Sequence, residues 1–263
     1  NIDLIFDVFG LKSLSFAEKL KVEEIKLHPT DFRNEELLTA VANSKTIKKI
    51  IAGCGGSYYE EIKNTLCFLG YEKKITLLHG FQGYPTPLEE NCLNRIEVLK
   101  LIANEHSQHV EVGFADHADP KSKDSTHLAI MAIGYGAKTL EKHLTLSKSL
   151  KLEDHESALS PDDLEEFVQI IKNISISKGS QDQLSSFYKL PPAEMKYRDF
   201  CIRHVVSKKD LKKGDIITSN DVCLKRSSNS NPITNLEDVI GKTINTDIPS
   251  NNALEIYHLN YDS

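Results

Sequence analysis

No stretch of this 263-residue chain approaches the roughly 18–20 consecutive apolar residues that a membrane-crossing helix needs. A membrane partner is therefore not expected. The opening residues, Asn1-Ile2-Asp3-Leu4-Ile5-Phe6, lack the basic and apolar regions of a signal peptide. They also lack an initiator Met, so the sequence reads as part of a longer chain. Basic runs are short and the formal net charge is −6, which argues against a surface that tracks nucleic-acid phosphates. The five cysteines (Cys54, Cys67, Cys92, Cys201 and Cys223) form no C-x-x-C pair. Their odd number and scatter suit a reducing, cytoplasmic setting and argue against both a disulfide framework and a thiolate zinc site.

What is present is ordinary for a globular protein: 40% hydrophobic and 27% charged residues, in a chain long enough for more than one domain. Up to about residue 176 a βα rhythm repeats. Strands are predicted at residues 4–6, 24–27, 47–52, 74–78, 110–112 and 139–141. Helices are predicted between them, one entered through Gly53-Cys54-Gly55-Gly56-Ser57 with Ser57 as its cap. Ser160-Pro161-Asp162-Asp163 opens a final helix, with Ser as N-cap and Pro in the first turn. Six such units without a nucleotide-binding fingerprint fit a closed, parallel barrel better than the alternative, a doubly wound sheet. Residues 177–197 break the rhythm and read as a linker. Residues 198–263 read as a small β-rich domain with turns at Lys212-Lys213-Gly214-Asp215 and Asn251-Asn252.

Two histidines carry the chemistry. His117 follows the fifth predicted strand in Gly113-Phe114-Ala115-Asp116-His117, and His143 follows the sixth in Thr139-Leu140-Glu141-Lys142-His143. In a β/α barrel the strand C-termini converge on one mouth, so successive strands deliver both imidazoles to one place. The pair is a candidate ligand set for one divalent metal. Glu141, two residues before His143, shares its face of the strand.

Taken in order, several stretches resemble the sialic acid (N-acetylneuraminate) synthase family. They are Ile25-Lys26, Leu77-Leu78-His79 with Tyr84-Pro85-Thr86-Pro87, Val112 to His117, Glu141-Lys142-His143-Leu144-Thr145, and Asp154 to Pro161. Residues 198–263 resemble that family's antifreeze-like (SAF) domain through Val205-Val206-Ser207, Lys213-Gly214, Lys225-Arg226 and Val239 to Lys242. The resemblance implies a (β/α)8 TIM barrel lacking its first two strands, followed by the SAF domain. The implied reaction is the metal-dependent condensation of phosphoenolpyruvate with an N-acetylated amino sugar. Residue by residue it places the metal, manganese with magnesium or cobalt as alternatives, on His117 and His143. It places Glu141 and Lys26 in catalysis, and Tyr84, Gln82, Asp154, Arg226 and Gly53 at the substrates. Arg226 matches an arginine that one subunit inserts into the barrel of another, which implies a domain-swapped homodimer. The resemblance also implies that the two absent strands carry further contacts, so the chain alone is expected to be inactive.

The departures cluster on one sub-pocket. Where the family has hydroxyl or amide side chains, this chain has Asp7, Gly53, Gly80, Gln82 and Ala115. A carboxylate facing a phosphate adds repulsion, and each lost hydroxyl forfeits a charge-assisted hydrogen bond. Two accounts stand. The phosphate is held by backbone N–H groups of the turn at Gly53 to Ser57, or the donor is another small molecule. A non-catalytic sugar-binding or regulatory barrel is the alternative to a synthase. A metal-dependent hydrolase or lyase would need a further ligand, Asp116 or Asp119.

Overall fold

In a computed structural model, the described residues are 2–122, 124–179, 190–227 and 231–260. The chain divides into two compact units, Asn1–Gly179 and Ser180–Ser263. The five cysteines stand free. Among the described residues no helix is long and apolar enough to cross a membrane.

The first unit is a six-stranded parallel sheet with β1 (Ile5–Val8), β2 (Glu24–Leu27), β3 (Lys49–Gly53), β4 (Lys74–His79), β5 (Val110–Asp116) and β6 (Thr139–Lys142). Helices α1 (Leu11–Lys19), α2 (Glu35–Asn43), α3 (Tyr59–Leu69), α4 (Arg95–His106) and α5 (Ser125–Tyr135) connect them, and α6 (Pro161–Lys178) closes the unit. The strands lie side by side in chain order, without the order reversal of a doubly wound sheet. The sheet is curled as a half-barrel. A single contact shows why it cannot be flat. Lys26 on β2 and Glu141 on β6 meet at 2.7 Å, whereas four flat inter-strand spacings would separate them by about 19 Å, more than the two side chains can reach.

The outward face of the sheet packs on the helices through Ile25, Leu27, Ile50, Ile75, Leu77, Val112 and Phe114, all nearly inaccessible to solvent. The inward face has only a small apolar cluster of Ile51, Leu78 and Ala115. Alternation along each strand therefore sends apolar residues to the helices and leaves the inside for polar ones. Helix entry follows local chemistry. Asn34 Oδ1 accepts from Leu37 N–H at the start of α2, and Ser160 Oγ accepts from Asp163 N–H at the start of α6. Helix α3 differs from expectation. Its N-cap is Tyr58, whose N–H donates to the Glu61 carboxylate, while Ser57 closes a turn on Cys54 O.

The predicted linker also differs. Helix α6 continues to Lys178, and α7 (Pro192–Cys201) begins inside the stretch read as linker, so both ends of residues 177–197 are helical. Gly179 ends α6 at φ 76°, a conformation that glycine adopts without a Cβ penalty. Residues 180–189 lie outside the described residues. In the second unit β7 (His204–Ser207) pairs antiparallel with β8 (Val222–Lys225), and β9 (Thr243–Ile244) with β10 (Leu259–Asn260). Val205, Leu211, Ile217, Val222, Val239, Ile244 and Leu254 form its core.

Asp221 holds this second unit's turns together. Its carboxylate accepts from Thr218 N–H and Oγ1–H and meets Lys209 at 2.7 Å. Lys209, then the Thr218 donors, lower its pKa from the ordinary 3.8 to about 2. A carboxyl that is more acidic folded than unfolded contributes stability above pH 3.8 and loses it as pH falls through about 2. Asp221→Asn is expected to lower the unfolding midpoint of the second unit at pH 7, with the gap to the native chain closing between pH 4 and 2. Urea unfolding followed by NMR signals of Val205 and Val222 across that range checks it.

Candidate active site

Strand β5 runs unbroken through Gly113 to Asp116, so His117 is the first residue beyond it, and His143 is the first beyond β6. Asp116 and Lys142, the residues before them, are partners in the β5–β6 register. Both side chains point away from the histidines, to the helix side. Asp116 Oδ2 lies 2.8 Å from Lys142 Nζ in a near-fully buried ion pair whose geometry is not that of a regular hydrogen bond. Asp116 Oδ1 accepts from Ala118 N–H, and Lys142 donates to Ser125 Oγ of α5 and lies over the Phe167 ring of α6. Because neighbours on a strand face opposite ways, fixing this pair outward fixes Glu141, His117 and His143 inward. The pair was not anticipated from the sequence. Its signal there is the repeated acid- or base-before-histidine pattern, Asp116-His117 and Lys142-His143.

The imidazoles lie 5.1 Å apart between ring centroids, and Tyr84 packs on both at 4.9 and 5.4 Å. The backbone around them is tied down. His117 O accepts from Thr86 N–H and from Ser157 Oγ–H, and His143 O accepts from Leu159 N–H. His117 Nδ1 donates to Phe81 O at 2.7 Å, leaving Nε2 as the nitrogen with a free lone pair. Nε2 is buried with no hydrogen-bond partner, and burial pushes the His117 pKa down, so the ring is neutral at neutral pH. A buried, unpartnered imidazole nitrogen facing a second imidazole is what an open metal site requires. His143 Nδ1 lies 3.7 Å from Asp154 Oδ2. Among the described residues no cluster of three or more His, Cys, Asp or Glu is poised for a metal. Asp116 is committed to Lys142, and among the described residues no third ligand of the kind that a metallohydrolase reading requires joins the histidines.

The remaining expected residues separate into two groups. Lys26, Glu141, Tyr84 and Asp154 gather with the histidines on the inner face. The Tyr84 hydroxyl is pushed up to about 12 by burial first, then by Asp154, Glu141, Glu153 and Asp7, and so keeps its proton. That ring of carboxylates makes this mouth acidic, with Lys26 as the opposing cation beside Asp7, its register partner on β1. Gln82, expected to read a substrate, is bonded to His28 Nε2, while His28 Nδ1 is held by Thr30. Gly53 contacts Pro29, where a Cβ would sit 3.3 Å from the ring. Arg226 belongs to the second unit, where its guanidinium lies 5.5 Å from the Phe200 ring centre.

Two of the small residues that replace expected hydroxyls, Gly80 and Ala115, pack against each other, and Gly55 packs on Gly80. A Cβ on Gly80, at φ 134°, would meet Ala115 O at 2.4 Å, and one on Gly55 would meet Gly80 O at 2.0 Å. The loops after β3 and β4 thus close backbone to backbone, and the second also lies against β5 at Ala115.

A family model described as the NeuB family matches residues 1–183, and one described as the SAF domain matches residues 202–254. The chain is 30% identical over 246 residues to the N,N'-diacetyllegionaminic acid synthase of Campylobacter jejuni, covering 92% of this chain and 69% of that protein. A pseudaminic acid synthase of C. jejuni is 27% identical over 253 residues, 94% of this chain and 67% of that protein. A Chromobacterium violaceum structure that carries the name of spore coat polysaccharide biosynthesis protein E superposes with a TM-score of 0.78. It is 22% identical, covering 97% of this chain and 73% of that one, and it shows the shared fold.

Removing one partner of a near-fully buried ion pair leaves an uncompensated charge, at a cost of about 3–5 kcal/mol. Lys142→Met is expected to destabilise the first unit by that amount, and Asp116→Leu combined with Lys142→Met by clearly less. Chemical unfolding of the two variants measures the difference.

Proposed function

Because the chain belongs to the NeuB family, we propose that its first unit is the strand-3-to-8 portion of a (β/α)8 synthase barrel that condenses a three-carbon donor with an N-acetylated amino-sugar aldehyde. The observation that carries the reading is the buried, unpartnered Nε2 of His117 beside His143, inside an acid-lined mouth. His117 and His143 would hold one divalent ion, manganese by preference, with their neutral ring nitrogens. Bound there, the ion supplies Lewis-acid polarisation of the sugar's carbonyl oxygen.

The chain's own residues do the rest. Tyr84, protonated to about pH 12, donates a hydrogen bond to a sugar oxygen and keeps water off the imidazoles. Glu141, held by Lys26 at 2.7 Å, orients a sugar hydroxyl, and Asp154, beside His143, orients another. Lys26 also offers a positive charge to the donor's carboxylate. With phosphoenolpyruvate as donor, its C3 bonds to the aldehyde carbon, water adds at C2, and phosphate leaves. The acidic mouth bears on that donor: with Gly53, Gly80 and Ala115 at positions where the family has hydroxyls, its phosphate would fall to the backbone N–H groups of the turn at Gly53 to Ser57 and to Lys26, or the donor is another small molecule. Arg226 in the second unit would enter the barrel of a second copy, giving a domain-swapped homodimer.

The test uses the protein extended upstream to include the barrel's first strands, with manganese, phosphoenolpyruvate and a panel of N-acetylated amino sugars. Phosphate release is expected, and His117→Ala or His143→Ala should abolish it and weaken manganese binding, followed by electron paramagnetic resonance, at least tenfold. Sugar binding without phosphate release across the panel would mark a binding barrel instead.

A further inference from the structure

The opposite ends of β3 and β4 have a different chemistry. The chain carries a net charge of −6, yet a cavity of about 650 Å³ at the N-terminal ends of these strands is lined by Lys45, Lys48, Lys49, Lys73 and Lys74, with Glu72 as its one carboxylate. Lys49 and Lys74 are direct register partners, an arrangement of like charges that destabilises a sheet. Lys49 is relieved on its other side by Glu24 at 3.3 Å. Among the described residues no carboxylate is paired with Lys45, Lys48, Lys73 or Lys74.

Lys73 is the decisive side chain. It is only 9% exposed, and its ammonium donates to two backbone carbonyls, Ser44 O at 2.7 Å and Ile47 O at 2.8 Å. An ammonium has three hydrogens to give, so two neutral acceptors leave one unused, and its nearest carboxylates, Glu72 and Glu18, act on it without forming an ion pair. Burial first, then the nearby Lys48, lowers its pKa. A solvated lysine patch on a convex surface would show none of this strain.

We propose that this cavity binds a small, multiply charged phosphate-bearing molecule at the face opposite the histidine site. Its volume lies within the roughly 300–1,000 Å³ of small-molecule sites. Lysines bind phosphate as point charges and can converge on several oxygens at once, whereas a carboxylate is matched best by a planar guanidinium, which the cavity lacks. The net negative charge of the chain as a whole disfavours a nucleic-acid strand as the occupant.

Isothermal titration of the full chain with inorganic pyrophosphate, without added metal and at low ionic strength, tests this. One saturable site is expected, with affinity falling at least tenfold in Lys45→Glu/Lys48→Glu and unchanged in Lys26→Met. Both substituted lysines are exposed, and circular dichroism checks that the double variant folds. The milder Lys45→Gln/Lys48→Gln pair should give a smaller loss, about threefold. Absence of saturable binding overturns the proposal. So does an affinity indifferent to the charge reversal, or one abolished by Lys26→Met, which would place the anion at the histidine mouth.

Discussion

The first unit's chemistry depends on a salt bridge that touches no reacting atom. Asp116 and Lys142 meet in register across β5 and β6, buried under α5 and α6. A buried pair of this kind is costly to form and costlier to break, so it persists only when its surroundings over-determine it. Ser125, Ala118 N–H and the Phe167 ring supply that determination. With the pair pinned outward, the pleat leaves Glu141, His117 and His143 no choice but to face inward. The spacing of the imidazoles is therefore a property of the sheet and its helices, not of a flexible loop, which is the arrangement a preorganised site needs.

On the inner face, the curl of the sheet brings opposite charges from distant strands together. Lys26 and Glu141, 115 positions apart in the chain, share a hydrogen bond at 2.7 Å, and Asp7, Glu153 and Asp154 add negative potential around Tyr84. The mouth is thereby acidic, with Lys26 as its opposing cation. At the opposite end of the sheet, the N-terminal ends of β3 and β4 carry Lys49 and Lys74, so the two ends of the sheet differ in charge.

Much of the fold was legible in the chain because its signals are local. The βα rhythm located every strand of the first unit to within a few residues, since buried parallel strands are short apolar runs bounded by turn residues. Ser160-Pro161 announced α6 for the same reason. The errors were also local. Ser57 has the chemistry of a cap, but the Glu61 carboxylate reaches back to Tyr58 instead, and the helix from Pro192 gives no periodic signal because α7 has no buried face.

The sequence by itself determined that two histidines follow successive strands, that a carboxylate precedes one of them on the same face, and that expected hydroxyls are missing nearby. Only the tertiary structure decided which atoms these residues offer. Phe81 O selects the tautomer of His117 and orphans its Nε2. His28 is the partner that Gln82 meets. Two of the positions that lack a hydroxyl, Gly80 and Ala115, prove to be in close backbone contact. The physical reason is the same in each case. A strand's pattern fixes the face of a side chain, but its partners come from other strands that the chain reaches only after the sheet has curled.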